Sequence, residues 1–212
     1  MDYFLSLLTI LIAILHLGSP VYVEIRQYRG YMQRTHNDLR RQEGAADMQY
    51  MTTDRELELR AQQWVDRCGF FHQQRGYGEN LAFYSSTGPT PRADYVIRNS
   101  MRSWYNEKPL YRFGRGSCGR ACHYTQMVWA RTSRMGCAMS YCDTLYDDNG
   151  QVHRNAMYFA CFYSPPGNYI GQTPYTPGYP CSRCSFGDSC IDGLCYTRGE
   201  FTNMENVCFA RM

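Results

Sequence analysis

Eleven cysteines in 212 residues, at positions 68, 118, 122, 137, 142, 161, 181, 184, 190, 195 and 208, restrict this chain more than any other feature. In an oxidising compartment cysteines at that density close into a disulfide framework that staples the fold. Residues 1–20 set the expected compartment. An apolar run from Leu5 to Leu17, broken by Ser6, Thr9 and His16, leads into Gly18-Ser19-Pro20, and charges follow at Glu24 and Arg26. The run is shorter than the ~20 apolar residues of a bilayer span and ends in small residues, so it reads as a secretory signal peptide. Asp2 and Pro20 are unusual in such a segment, and an uncleaved anchor is the competing reading. No other stretch is apolar enough to span a membrane. The expected location is therefore extracellular. On spacing alone, Cys181-x2-Cys184 with Cys190-x4-Cys195 also suits a zinc–thiolate site, but exported cysteines oxidise instead.

The net charge of +3 is too mild and too evenly spread to argue for nucleic acid as a partner. Roughly 190 residues beyond the signal peptide suit one hydrophobic core with an appendage. Residues 24–42 place Ile25, Tyr28, Met32, Thr35/His36 and Leu39 on one helical side, with Gly44 as the stop. Thr53-x-x-Glu56 has the form of a capping box before a second helix through Leu57, Ala61, Trp64/Val65 and Cys68. Pro89 and Pro91 precede a third, striped by Ile97, Met101 and Trp104 and ending near Pro109. Met135–Cys142 and Ala156–Tyr163 read as buried strands around a polar loop, 143–155, whose Asp147-Asp148-Asn149-Gly150 is a turn signal. Helices and then strands in separate blocks predict an α+β fold with helices layered on a sheet. From about residue 168 the chain is rich in Pro, Gly, Tyr and Cys and too poor in aliphatics to build its own core, so disulfides are expected to hold it.

His72, Glu79, Glu107 and His123 stand out chemically. Two imidazoles and two carboxylates suit a divalent ion such as Zn2+, or acid–base work in which one group positions another. Their spacing does not group them: seven residues separate the first two and sixteen the second two.

The surrounding words do. Cys122-His123-Tyr124-Thr125-Gln126-Met127-Val128-Trp129 and Tyr158-Phe159-Ala160-Cys161-Phe162-Tyr163-Ser164-Pro165-Pro166-Gly167-Asn168-Tyr169 resemble the two signatures of the CAP superfamily (cysteine-rich secretory, antigen 5, pathogenesis-related-1). His36-Asn37-x-x-Arg40 and Gly78-Glu79-Asn80-Leu81 are similar to its two shorter motifs, and all four occur in family order. Gly44-Ala45-Ala46-Asp47-Met48-x-Tyr50-Met51 and Thr173-Pro174-Tyr175-x-x-Gly178-x-Pro180-Cys181 resemble the peptidase-inhibitor-15-like, LCCL-containing and venom-allergen-like branches, although no LCCL module is expected in these residues.

The resemblance implies a three-layer α-β-α CAP sandwich over residues 21–170 and a cysteine-rich, hinge-like tail over 171–212. It carries His72, Glu79, Glu107 and His123 onto the cleft tetrad, a possible holder of Zn2+ or another divalent cation, and leaves His36 structural. Cys122, Phe162 and Thr53 depart from the usual residues without removing a tetrad member. Implied disulfides are Cys68–Cys142, Cys137–Cys161, Cys181–Cys190 and Cys184–Cys195. Cys118 and Cys122 could pair only across a tight turn, which leaves Cys208 odd and free to link another molecule. An ion-channel module needs six cysteines past the hinge, where only Cys208 lies, so channel block is not expected. By analogy the 143–155 segment is a lipid loop, with Leu145, Tyr146 and Val152 to touch a sterol or fatty acid. The expected function is extracellular binding of a metal, a lipid or a protein partner, with protease inhibition or receptor binding as the alternative. A zinc hydrolase with Glu79 or Glu107 as base ranks below both, because two histidines are one strong ligand short of the usual three.

Overall fold

Strands β5 (Arg134–Asp147) and β6 (Val152–Ser164) are apolar on both faces, and this dictates the layering. In β6, Met157, Phe159, Cys161 and Tyr163 enter one buried cluster, while Ala156, Tyr158, Ala160 and Phe162 enter another. In β5, Met135, Cys137 and Met139 join the first cluster and Ala138 and Cys142 the second. Alternate side chains face opposite sides of a strand, so a sheet apolar on both sides has to be covered on both. The computed structural model describes residues 20–73 and 76–197 and is a three-layer α-β-α sandwich. The signal-peptide expectation, apart from Pro20, and the fate of Cys208 lie outside the described residues.

The sheet runs β1 (Val21–Tyr22), β5, β6, β4 (Gly78–Ser85), each antiparallel to its neighbour. Two short strands, β2 (Thr52–Thr53) and β3 (Gly69–Phe70), pair parallel with the two ends of β5. Helix α2 (Arg55–Val65) covers one face through Leu57, Ala61, Trp64 and Val65. The other face carries α1 (Arg29–Arg41), α3 (Ala93–Tyr105) and the short α4 (Cys122–Met127).

Several local expectations shift. The first helix begins as a 3-10 turn, Arg26–Tyr28, and becomes α-helical at Arg29. The cap of α2 is Asp54, whose carboxylate accepts from the N–H groups of Glu56 (2.8 Å) and Leu57 (3.2 Å). Thr53 cannot serve, because its backbone is committed to β2 opposite Met135. The polar 143–155 segment is mostly strand rather than loop. Only its tip turns, where Asp147 Oδ1 accepts from Asn149 N–H and Gln151 N–H, and Gly150 supplies a φ of +76°.

Arg40, at the end of α1, is fully buried and donates only to backbone carbonyls: those of Gln49, Met127, Trp129, Ala130 and Thr132. Burial lowers its pKa to about 9. One guanidinium thus satisfies the irregular chain that leaves α4, explaining the arginine of the His36-Asn37-x-x-Arg40 word.

Among the described residues five disulfides close, as Cys68–Cys142, Cys137–Cys161, Cys181–Cys190, Cys184–Cys195 and Cys118–Cys122. The last has its Cα atoms 4.8 Å apart and turns through Gly119 at a φ of +58°. The zinc–thiolate alternative falls, because all four of its sulfurs are in disulfides.

The tail is not held by disulfides alone. Its hairpin, β7 (Ser189–Ile191) with β8 (Leu194–Tyr196), inserts Leu194 into the main core. Cys195 N–H donates to Met48 O (2.8 Å), and Tyr50 N–H donates to Cys195 O (2.7 Å).

Candidate metal-binding cleft

The four residues singled out in the sequence form two separate imidazole–carboxylate pairs, His72 with Glu79 of β4 and His123 of α4 with Glu107. His72, in the loop after β3, places Nδ1 3.2 Å from Glu79 Oε2, which also accepts from Gln73 N–H at 3.1 Å. His123, in the first turn of α4, places Nδ1 2.6 Å from Glu107 Oε1. Glu107 Oε2 accepts from the backbone N–H groups of His123 (2.9 Å) and Tyr124 (3.3 Å), so this residue also caps α4. The His72 side chain is 54% exposed and that of His123 33%, so both rings reach solvent.

A carboxylate accepts, so the neutral form of each ring carries its proton on Nδ1 and has its lone pair at Nε2. The His123 ring is fixed further by stacking on Trp104 (centroids 5.9 Å apart, 18° between planes), which itself stacks on Phe159. Alternation along β4 sends Glu79 to the α2 face with Leu81, and Asn80 to the opposite face with Ala82. Tyr158, also on the α2 face, has its hydroxyl pKa raised by burial and secondarily by the nearby Glu79 charge. Asn80 Nδ2 donates to the carbonyl of His123 at 3.1 Å and joins the second pair to the strand that carries the first. Among the described residues no three of the four bring ligand atoms within 4.8 Å of one another; the group meeting that test is Cys181, Cys184 and Cys195, all oxidised.

The motif words acquire physical reasons here. At Gly78 a β-carbon would collide with the Gln126 side chain, so only glycine lets β4 approach α4. Gln126 Oε1 accepts from Gly167 N–H, and Asn168 Nδ2 donates to Cys122 O, tying the second signature to the first. His36 is buried, with Nδ1 2.9 Å from Met32 O and Nε2 3.0 Å from the Tyr163 hydroxyl. Burial lowers its pKa to about 4, so it is a neutral core residue, as expected.

Sequence reasoning missed Asn80, Trp104 and Glu43. Asn80 lies inside a quoted motif, and strand alternation would have turned it towards α4. Glu43 had no signal beyond its place beside Gly44. Its carboxylate, 1% exposed, accepts from the hydroxyls of Tyr105 (2.7 Å), Tyr124 (2.9 Å) and Tyr175 (3.1 Å) and pairs with Lys108 (3.0 Å).

The lipid-contact expectation needs correction at Leu145, which is fully buried under α2 and cannot meet a ligand. Tyr146 and Val152 are exposed cross-strand partners near the hairpin tip. A cavity of about 140 Å³ lies elsewhere, between the segment after β1, the starts of α1 and α2, and β5. Ile25, Met32 and Cys137 line it, with Arg29, Arg55 and Glu58 among its polar groups.

The description of the "CAP: Cysteine-rich secretory protein family" matches residues 33–163. Human "Cysteine-rich secretory protein LCCL domain-containing 2" is 38% identical over 188 residues, which are 79% of this chain and 36% of that protein. Human "Peptidase inhibitor 15" is 37% identical over 169 residues, 72% of this chain and 63% of that protein. The chain therefore spans about a third of the LCCL-containing relative it matches. A solved structure, "Crystal structure of NaASP2 with Zn2+", superposes with a TM-score of 0.66 at 28% identity, over 81% of this chain and 96% of that one. With its three-layer sandwich, four motif words and disulfide framework, this chain belongs to the CAP (cysteine-rich secretory) family.

Proposed function

We propose that this chain is an extracellular binding module that takes a divalent cation, Zn2+ foremost, at its His72/His123 cleft. The observation that carries the proposal is that both rings engage a carboxylate through Nδ1 and leave Nε2 free. Zinc-ligating histidines characteristically have that second partner, which fixes the tautomer and raises ligand basicity. The donor set fits: imidazole nitrogen suits zinc, and Asn80 Oδ1, next to Glu79 in β4, is a buried oxygen with no hydrogen-bond partner among the described residues. His72 and His123 would hold the ion, Glu79 and Glu107 would orient the rings, and a bound zinc would supply Lewis acidity there.

Binding is favoured over hydrolysis. Both Glu107 oxygens already accept from imidazole or backbone N–H, so this carboxylate is not an unengaged base. Disulfide density and the relatives' secretory names support export, with residues 1–20 as the signal peptide, 21–170 as the CAP unit and 171–212 as the tail. The Zn2+ in the solved relative's description supports the choice of ion. The lipid reading has less support, because Leu145 is buried and the cavity beside Met32 and Cys137, about 140 Å³ and partly lined by charged side chains, is too small for a sterol. Protease inhibition is supported by a relative's name alone.

Calorimetric zinc titration of the metal-free protein tests the proposal. His72→Ala and His123→Ala should each weaken uptake at least about tenfold, and Glu107→Gln by about 10- to 100-fold. Unchanged uptake in both histidine variants would overturn it.

A further inference from the structure

Two adjacent-residue couples lead from the His123–Glu107 pair to one carboxylate. Glu107 and His123 form the second imidazole–carboxylate pair. Their immediate successors, Lys108 and Tyr124, both end at Glu43. Tyr105, two residues before Glu107, ends there too. Both elements that carry the pair are therefore pinned within one or two residues of it by a single buried carboxylate. Burial and the negative charge of Glu43 push the hydroxyl pKa of Tyr105 and Tyr124 upward, so these groups stay protonated as donors.

The fourth contact comes from the tail. The chain on either side of Tyr175 is anchored to the body: Ala130 N–H donates to Pro174 O (2.6 Å), Ala46 N–H donates to Thr176 O (2.8 Å), and Thr176 donates to Asp47 through N–H and Oγ1. Tyr175 then reaches Glu43 with its hydroxyl, and its ring meets Phe113, which touches Tyr111, which touches Tyr124. A hydrogen bond and a row of rings thus run in parallel from tail to α4.

We infer that Glu43 is a positioning residue for the His123–Glu107 pair and couples the tail, through Tyr175, to the geometry of the cleft. The inference deepens the metal-binding proposal but is testable without it. Glu107 Oε2 accepts from the backbone N–H of Tyr124 itself, so any shift of Tyr124 displaces a donor that aims the Glu107 carboxylate at His123 Nδ1. The competing account is a network that only glues three helix ends and the tail together; it costs stability when broken and leaves the imidazole unaffected.

Long-range 15N NMR spectra of metal-free protein separate the two, because they report the tautomer of each histidine. In the parent chain His123 should be in the Nδ1–H form. In Glu43→Gln it should become a mixture of tautomers, in Tyr175→Phe the mixing should be smaller, and His72 should be unchanged in both. Zinc affinity should fall in Glu43→Gln by less than the about 10- to 100-fold expected for Glu107→Gln, because Glu43 reaches the ring only through Tyr124 and Glu107. A lower melting temperature with an unaltered His123 spectrum in both variants would overturn the inference. If Glu43→Gln does not fold, Tyr105→Phe replaces it, removing one hydroxyl while the carboxylate keeps Tyr124, Tyr175 and Lys108. A parent chain that takes up no zinc defeats the metal proposal alone, since the tautomer readout needs no ion.

Discussion

Acidifying the protein should unmask His36. In the fold its ring is fully buried, donates from Nδ1 to Met32 O and accepts the Tyr163 hydroxyl at Nε2, so it has no room for a second proton. Burial is the main cause of its low pKa; the Arg40 charge adds to it, and the bond to Met32 opposes it. The ordinary value is 6.5 and the folded value about 4. Above pH 6.5 both states are neutral and the full stability is present. As pH falls from 6.5 towards 4, only the unfolded chain gains the proton, so stability is lost across that window. A difference of about 2.5 pH units at about 1.4 kcal/mol each amounts to roughly 3 kcal/mol. The assay is chemical denaturation with disulfides intact, comparing the parent with His36→Gln at about pH 7.5 and about pH 4. The comparison cancels every carboxylate the two proteins share. The parent should hold an advantage of about 1–3 kcal/mol at the higher pH, from the hydrogen bonds glutamine does not reproduce. At the lower pH that advantage should vanish or reverse. A parent–variant difference that stays constant within about 0.5 kcal/mol would show that the ring is not forced neutral.

Two further outcomes follow from local structure. Asp54→Ala should cost about 1 kcal/mol of stability in thermal melts and Thr53→Val less than half of that, because Asp54 is the cap; equal losses would restore the capping role to Thr53. Replacing Cys118 and Cys122 by serine should cost about 2 kcal/mol, against about 4.5 kcal/mol for the Cys68–Cys142 pair, since the bridges span 4 and 74 residues. Equal costs in denaturant titrations would rule out loop closure as the source of the difference.

The layering was legible because 135–142 and 156–163 are nearly continuous runs of apolar, small and cysteine residues, and a strand apolar on both faces demands two cover layers. The helical stripe at Ile97, Met101 and Trp104 was legible from its 3- and 4-residue spacing. Strand ends were not. Polar residues such as Thr144 and Arg154 continue the β5–β6 ladder because backbone pairing is indifferent to side-chain polarity, so 143–155 read as a loop. Motif words alone brought the four residues into one proposed site, and the structure adds what no word contains: which nitrogen faces which carboxylate. Glu43 was invisible, because a buried acid with three tyrosine partners far apart in sequence leaves no local pattern.

Leu194 completes the main core, and Cys195 shares backbone bonds with Met48 and Tyr50. Severing the chain after position 170 is therefore no clean amputation. It would uncover a greasy notch on the sandwich and strand amide groups that now have partners. Any chimera exchanging tails between relatives has to carry over the matching 44–51 segment as well, since the two surfaces meet as lock and key.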